Sequence, residues 1–209
     1  MKLARNRIAL VTLLAVLAAP ASAHAIDFKV LGGFNHTKES LDIPNLAVDA
    51  SANTAFVFGA GVDIGLIPLF SLEADALYEN SSQDNTALGQ TTTISAKAFN
   101  FPIQLRFHFL PFLSVGAGPY FRFASGDLTI KDKTTGIESS KTFAEQNTST
   151  SDYGGVFSLG ASIPLPFGFS VVGDARYYLG FKNLYTGPNT DTSYKYKGYQ
   201  LLAGISFEL

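Results

Sequence analysis

Residues Ala98–Phe123 read AFNFPIQLRFHFLPFLSVGAGPYFRF, and their alternation decides the fold. Phe99, Phe101, Ile103, Leu105, Phe107 and Phe109 take one face; Asn100, Gln104, Arg106 and His108 take the other. After a tight corner at Leu110-Pro111 the pattern resumes. Leu113, Val115, Ala117, Phe121 and Phe123 stand opposite Ser114, Gly116, Gly118, Tyr120 and Arg122. Side chains that change face at every residue mark a β-strand, so the stretch predicts one long hairpin. A soluble sandwich buries such an apolar face and keeps its strands to ~5–6 residues. Strands of about ten residues, apolar outward and polar or glycine inward, are what a bilayer selects.

The same alternation appears on both sides of this hairpin. It runs through Ile26–Asn35, Thr54–Leu66, Leu69–Tyr78, Tyr153–Ile163, Phe167–Leu179 and Gly198–Leu209, which brings the count to eight strands. Residues 36–53, 79–92, 125–152 and 181–196 are polar and read as loops. Between them lie three short corners, Ile67-Pro68, Leu110-Pro111 and Pro164-Leu165-Pro166, so long and short connections alternate strictly. Outer-membrane barrels sort their connections in this way, with short periplasmic turns and long loops at the cell surface. A soluble barrel has no such reason, and its apolar side faces inward. The expectation is an all-β, eight-stranded antiparallel up-and-down transmembrane β-barrel over residues 26–209.

Composition agrees with that class. Only 15% of the 209 residues are charged and there is no cysteine, which excludes a disulfide scaffold and a thiolate metal site. Met1–Ala23 has the parts of a secretory signal: Lys2, Arg5 and Arg7, then apolar Ile8–Ala19, then Ala21-Ser22-Ala23. Cleavage falls after Ala23 or after Ala25. The remainder is acidic, with no basic patch and no case for nucleic acid.

The closing strand, GYQLLAGISFEL at Gly198–Leu209, carries a resemblance to a known family. With Tyr199, Leu201, Ala203, Ile205, Phe207 and Leu209 on its outer face, the chain resembles the small eight-stranded outer-membrane proteins of the OmpA/OmpX-like barrel superfamily. The strand is similar to the signal read there by the barrel-assembly machinery, although the last residue is Leu209 rather than the usual Phe. The resemblance implies a place in the outer membrane of a Gram-negative-type envelope, in contact with lipid and lipopolysaccharide. With the chain ending at Leu209, no periplasmic tether is expected.

Inside the barrel, the alternation gathers Asp63, Glu73, Asp75, Arg106, Arg122, Asp174 and Arg176 into a lumen charge network. Arg106 is expected to pair with Glu73 or Asp75, because neighbouring carboxylates in a barrel need a cation. Arg122 and Arg176 are expected higher up with Asp174. Strand glycines fall mostly inward, as a narrow cylinder requires. His108 lies opposite Ser114, with Glu73 and Asp75 nearby, but at the periplasmic end where no acyl chain should reach. No catalytic site, metal or cofactor is therefore expected. Tyr177, Tyr178, Tyr194, Tyr196 and Tyr199 are assigned to a surface-side aromatic belt. The reading is a monomeric barrel with a structural or surface-interaction role and a lumen closed by polar side chains. The alternatives are a narrow low-conductance channel for ions or small solutes and a lipid A-modifying enzyme.

Overall fold

The computed structural model describes residues 26–42, 49–87, 90–188 and 193–209. The proposed signal at residues 1–23 and its cleavage site lie outside these. The strands are β1 (Ile26–Asp42), β2 (Asp49–Asn53), β3 (Ala55–Ile67), β4 (Phe70–Ala87) and β5 (Gln90–Leu110). They continue with β6 (Leu113–Asp132), β7 (Glu138–Lys141), β8 (Ser151–Pro164), β9 (Phe169–Gly180) and β10 (Ser193–Glu208). Eight of them form a closed antiparallel ring in the order β1-β3-β4-β5-β6-β8-β9-β10, with β10 returning to pair with β1. Closure removes both sheet edges, which a bilayer requires because hydrocarbon offers the backbone no hydrogen-bond partner.

The sides are sorted as the alternation implies. Phe56 and Ile205 are 65% and 54% exposed on the outside, whereas Asp63 and Arg106 are 6% and 4% exposed within. Inward glycines are where neighbouring strands come closest. A Cβ at Gly118 would lie 1.9 Å from the Ile103 carbonyl oxygen, and one at Gly59 would lie 2.1 Å from that of Ala76. At outward-facing Gly32 a Cβ would meet nothing within 4 Å.

The strands are longer than expected. Much of the sequence read as loop is ladder instead: β1 runs on to Asp42, β4 to Ala87 and β6 to Asp132, while β5 starts at Gln90. β2 pairs with β4 and β7 with β6, so paired strands rise well above the apolar belt. These extensions are mostly polar and carry one small apolar cluster, Ala96, Leu128 and Phe143 with Ile94 and Ala124 packed against it. Their Thr- and Ser-rich sequence therefore shows no apolar alternation, yet the backbone still pairs. The corner after Pro164 is also longer than the sequence suggests: a 3-10 turn at Pro166–Gly168 delays the next strand to Phe169.

Candidate functional site

The lumen is the candidate site, and its side chains lie in layers set by strand register. At the short-turn end is a small cavity of about 80 Å³ lined by Asp27, Lys29, Asp63, His108, Ser114 and Ser206 among others. Directly above it β3 and β4 place Asp63 opposite Glu73, and Glu73 faces Gln104 of β5.

Glu73 is the hub of an ionic layer. Its Oε1 accepts from Arg106 Nη2 at 2.8 Å and from Arg176 Nη2 at 2.9 Å, and its Oε2 contacts Lys29 Nζ. Lys29 Nζ also donates to Asp63 Oδ2 at 2.9 Å. Arg106 reaches Asp174 and Ser114 as well. Arg176 donates from Nη1 to Asp75 Oδ2 at 2.6 Å and from Nε to Asp174 Oδ2 at 2.9 Å. Of the two carboxylates offered to Arg106, Glu73 is the one it engages, and Asp75 goes to Arg176. Small residues make room for these long side chains. A Cβ at Gly160 would lie 2.4 Å from Arg106 Nη1, and one at Gly61 would lie 1.8 Å from Asp75 Oδ1.

Arg176 thus sits in the same layer as Arg106, and Arg122 does not join Asp174. Arg122 Nε instead donates to Glu79 Oε1 at 2.5 Å, forming a second, higher pair. Glu79 also accepts from Gln200 Nε2 at 2.6 Å, from Asn100 Nδ2 at 3.3 Å and from the Tyr196 hydroxyl at 3.2 Å. Sequence reasoning missed Glu79 by ending the strand at Tyr78. The signal was present, since Glu73, Asp75, Leu77 and Glu79 keep one parity. Lys29 also joins the lumen network without having been among the expected set, although it shares the parity of inward Leu31 on β1.

Leu31, Val57, Leu77, Val172 and Leu202 form an apolar cluster within the lumen. Above Glu79 the lumen is filled by Tyr120, Tyr178 and Tyr196, packed with Val156 and Leu184. The Tyr120 and Tyr178 rings meet edge-on at 5.2 Å, and the Arg122 guanidinium lies 4.6 Å from the centre of the Tyr196 ring. The tyrosine assignment is therefore corrected. Tyr177 and Tyr199 face outward, whereas Tyr178 and Tyr196 are buried inside and Tyr194 packs against them. Tyr178, Tyr194 and Tyr196 occupy inward-facing positions, which decides the matter.

Two polar segments fold over this aromatic layer. Ser149 N donates to the Leu184 carbonyl, Thr148 bridges Tyr185, and Lys182 Nζ donates to Ser149 Oγ and to the Ser151 carbonyl. His108 lies opposite Ser114 in register, but its Nε2 shares a hydrogen bond with Ser71 Oγ at 2.9 Å. Glu73 and Asp75 are engaged by Lys29, Arg106 and Arg176. Among the described residues no group of three or more His, Asp or Glu is arranged to hold a metal ion.

A closed eight-stranded cylinder, apolar outside and ionic within, defines a transmembrane β-barrel of the outer-membrane class. The chain belongs to the outer membrane protein beta-barrel domain family, whose model matches residues 9–207, and it resides in the outer membrane. Among solved structures it is similar to the outer membrane protein OprG from Pseudomonas aeruginosa, at 13% identity and a TM-score of 0.58. That match covers 89% of this chain and 97% of that one, and it shows the shared fold. Further similarities are to Neisserial surface protein A (13% identity, TM-score 0.46, 87% of this chain and 97% of that one) and to Ail of Yersinia pestis. For Ail in complex with a heparin analogue the values are 11%, 0.44, 87% and 99%. No curated protein matches the chain in sequence.

Proposed function

We propose that this protein is a non-conducting outer-membrane barrel with a structural or surface-interaction role and no catalysis. The supporting observation is that side chains cross the lumen at two levels, the Glu73–Arg106–Arg176 layer and the Tyr120–Tyr178–Tyr196 layer. Conduction needs a continuous wet path, and eight strands enclose only enough space for side chains to fill. The strand extensions then present the surface available to partners, with lipid and lipopolysaccharide around a single barrel inserted by the assembly machinery.

Refolded protein in a planar bilayer is expected to give a flat current trace. Arg106→Ala is expected to stay silent while unfolding at lower urea concentration, because removing one partner of a buried ion pair costs about 3–5 kcal/mol. Steady unit conductance in the wild type, altered by Arg106→Ala, would overturn this in favour of a narrow channel. Lipid A mass spectra with and without the protein are expected to coincide; a mass change would indicate an enzyme.

A further inference from the structure

The short turns of the barrel are apolar and exposed. They carry Ile67, Leu69, Leu110, Phe112, Leu165 and Phe167, all exposed, with Phe167 91% exposed. No Asp, Glu, Lys or Arg occurs between Asp63 and Glu73, between Arg106 and Arg122, or between Asp152 and Asp174. Phe167 also holds left-handed backbone angles, φ 66° and ψ 30°, which an aromatic residue rarely adopts. A strained backbone that displays a bare ring to water would carry two costs with no return.

The lipid-facing belt accounts for both. On β8 the outward residues run from Tyr153 to Ile163, and on β9 from Phe169 to Leu179. Each is the roughly 9–11 residues that a tilted strand needs to cross the hydrocarbon. No length of strand remains between the belt and the turns, whereas at the opposite end β4, β5 and β6 continue well past it, to Ala87, back to Gln90 and to Asp132. The aromatics are sorted in the same sense. Outward tyrosines Tyr78, Tyr153, Tyr177 and Tyr199 lie toward the long-loop end, while the aromatics around the short turns are all phenylalanine. Tyrosine suits a wet boundary because its hydroxyl reaches water, and phenylalanine has no such tip.

We propose that the three short turns are immersed in the inner phospholipid leaflet rather than displayed to the periplasm. The leaflet is the occupant because the turn surface is continuous with the lipid-facing belt and uncharged like it.

The chain has no tryptophan, so single-tryptophan variants report one site each. Phe167→Trp and Phe112→Trp would be reconstituted in phosphatidylethanolamine–phosphatidylglycerol vesicles with and without bromine on the acyl chains. Ile137→Trp, in the exposed connection between β6 and β7, serves as the water-facing control. Both turn variants are expected to emit to the blue of the control, to lose most of their fluorescence to bromine and to resist acrylamide. Acrylamide quenching equal to that of Ile137→Trp would overturn the proposal and place the turns in the periplasm. Shielding from both quenchers would overturn it too, and would point to a second copy covering the turns. Folding of each variant is checked independently by its heat-shifted mobility on a gel. Having two turn positions keeps the test valid if one variant does not insert.

Discussion

At the residue scale the inward glycines do two jobs. Gly59 and Gly118 let neighbouring backbones approach, and Gly61 and Gly160 leave space for Asp75 and Arg106. At Gly118 the obstructing atoms are Ile103 O and Gln104 Cα, which are backbone and cannot swing aside. Gly118→Ala is therefore expected to destabilise the barrel by about 1–3 kcal/mol, the usual scale for overpacking. Gly32→Ala has open space and should be neutral or stabilising by up to ~1 kcal/mol, through a less mobile unfolded chain. Urea unfolding midpoints in one detergent check the pair; equal midpoints would refute the close-approach account. The inward bias of glycine was legible in the sequence. Which glycine faces a carbonyl and which faces a guanidinium was not, because that depends on the neighbouring strand.

At the element scale the extensions above the belt are held by cross-strand polar contacts together with one small apolar cluster, Ala96, Leu128 and Phe143. Asp84 on β4 ties four segments. It accepts from Lys133 beyond β6, from Thr93 on β5 at 2.7 Å and from Asn53 on β2 at 3.1 Å. The Lys133 hydrogen bond, with those from Thr93 and Asn53, holds the Asp84 carboxyl below its usual range. A carboxylate whose folded pKa is depressed stabilises the fold above its unfolded value and loses that contribution as pH falls through the folded one. Hydrogen exchange in the 82–87 and 90–95 ladder is accordingly expected to show protection at pH 7 that falls below about pH 4. Asp84→Asn should show the loss at pH 7. Amides in the belt should not respond, and a uniform response would refute the local origin. Sequence reading gave these segments to loops because their buried face is small and partly polar, which leaves little periodicity to read. A Thr-rich strand outside the bilayer looks like any polar loop.

At the scale of the whole molecule the proposed closed lumen has two layers in series, so that either one would close the path. Tyr178→Ala opens only the upper layer and is expected to leave a planar-bilayer trace flat; conductance from that variant alone would show that the Glu73 layer does not seal. Fold class, compartment and the inward set of charges were legible in the sequence, because alternation is local and hydrocarbon punishes any error in sidedness. That is why Asp63, Glu73, Asp75, Arg106, Asp174 and Arg176 could be named as one lumen set from their parity alone. Which of them meet was decided only by the tertiary structure. Ring closure sets the stagger between strands, and that stagger lowers Arg176 to Glu73, sends Arg122 to Glu79 and brings Tyr120, Tyr178 and Tyr196 into one plug. These are contacts between residues up to about a hundred positions apart, and no periodicity along a single strand encodes them.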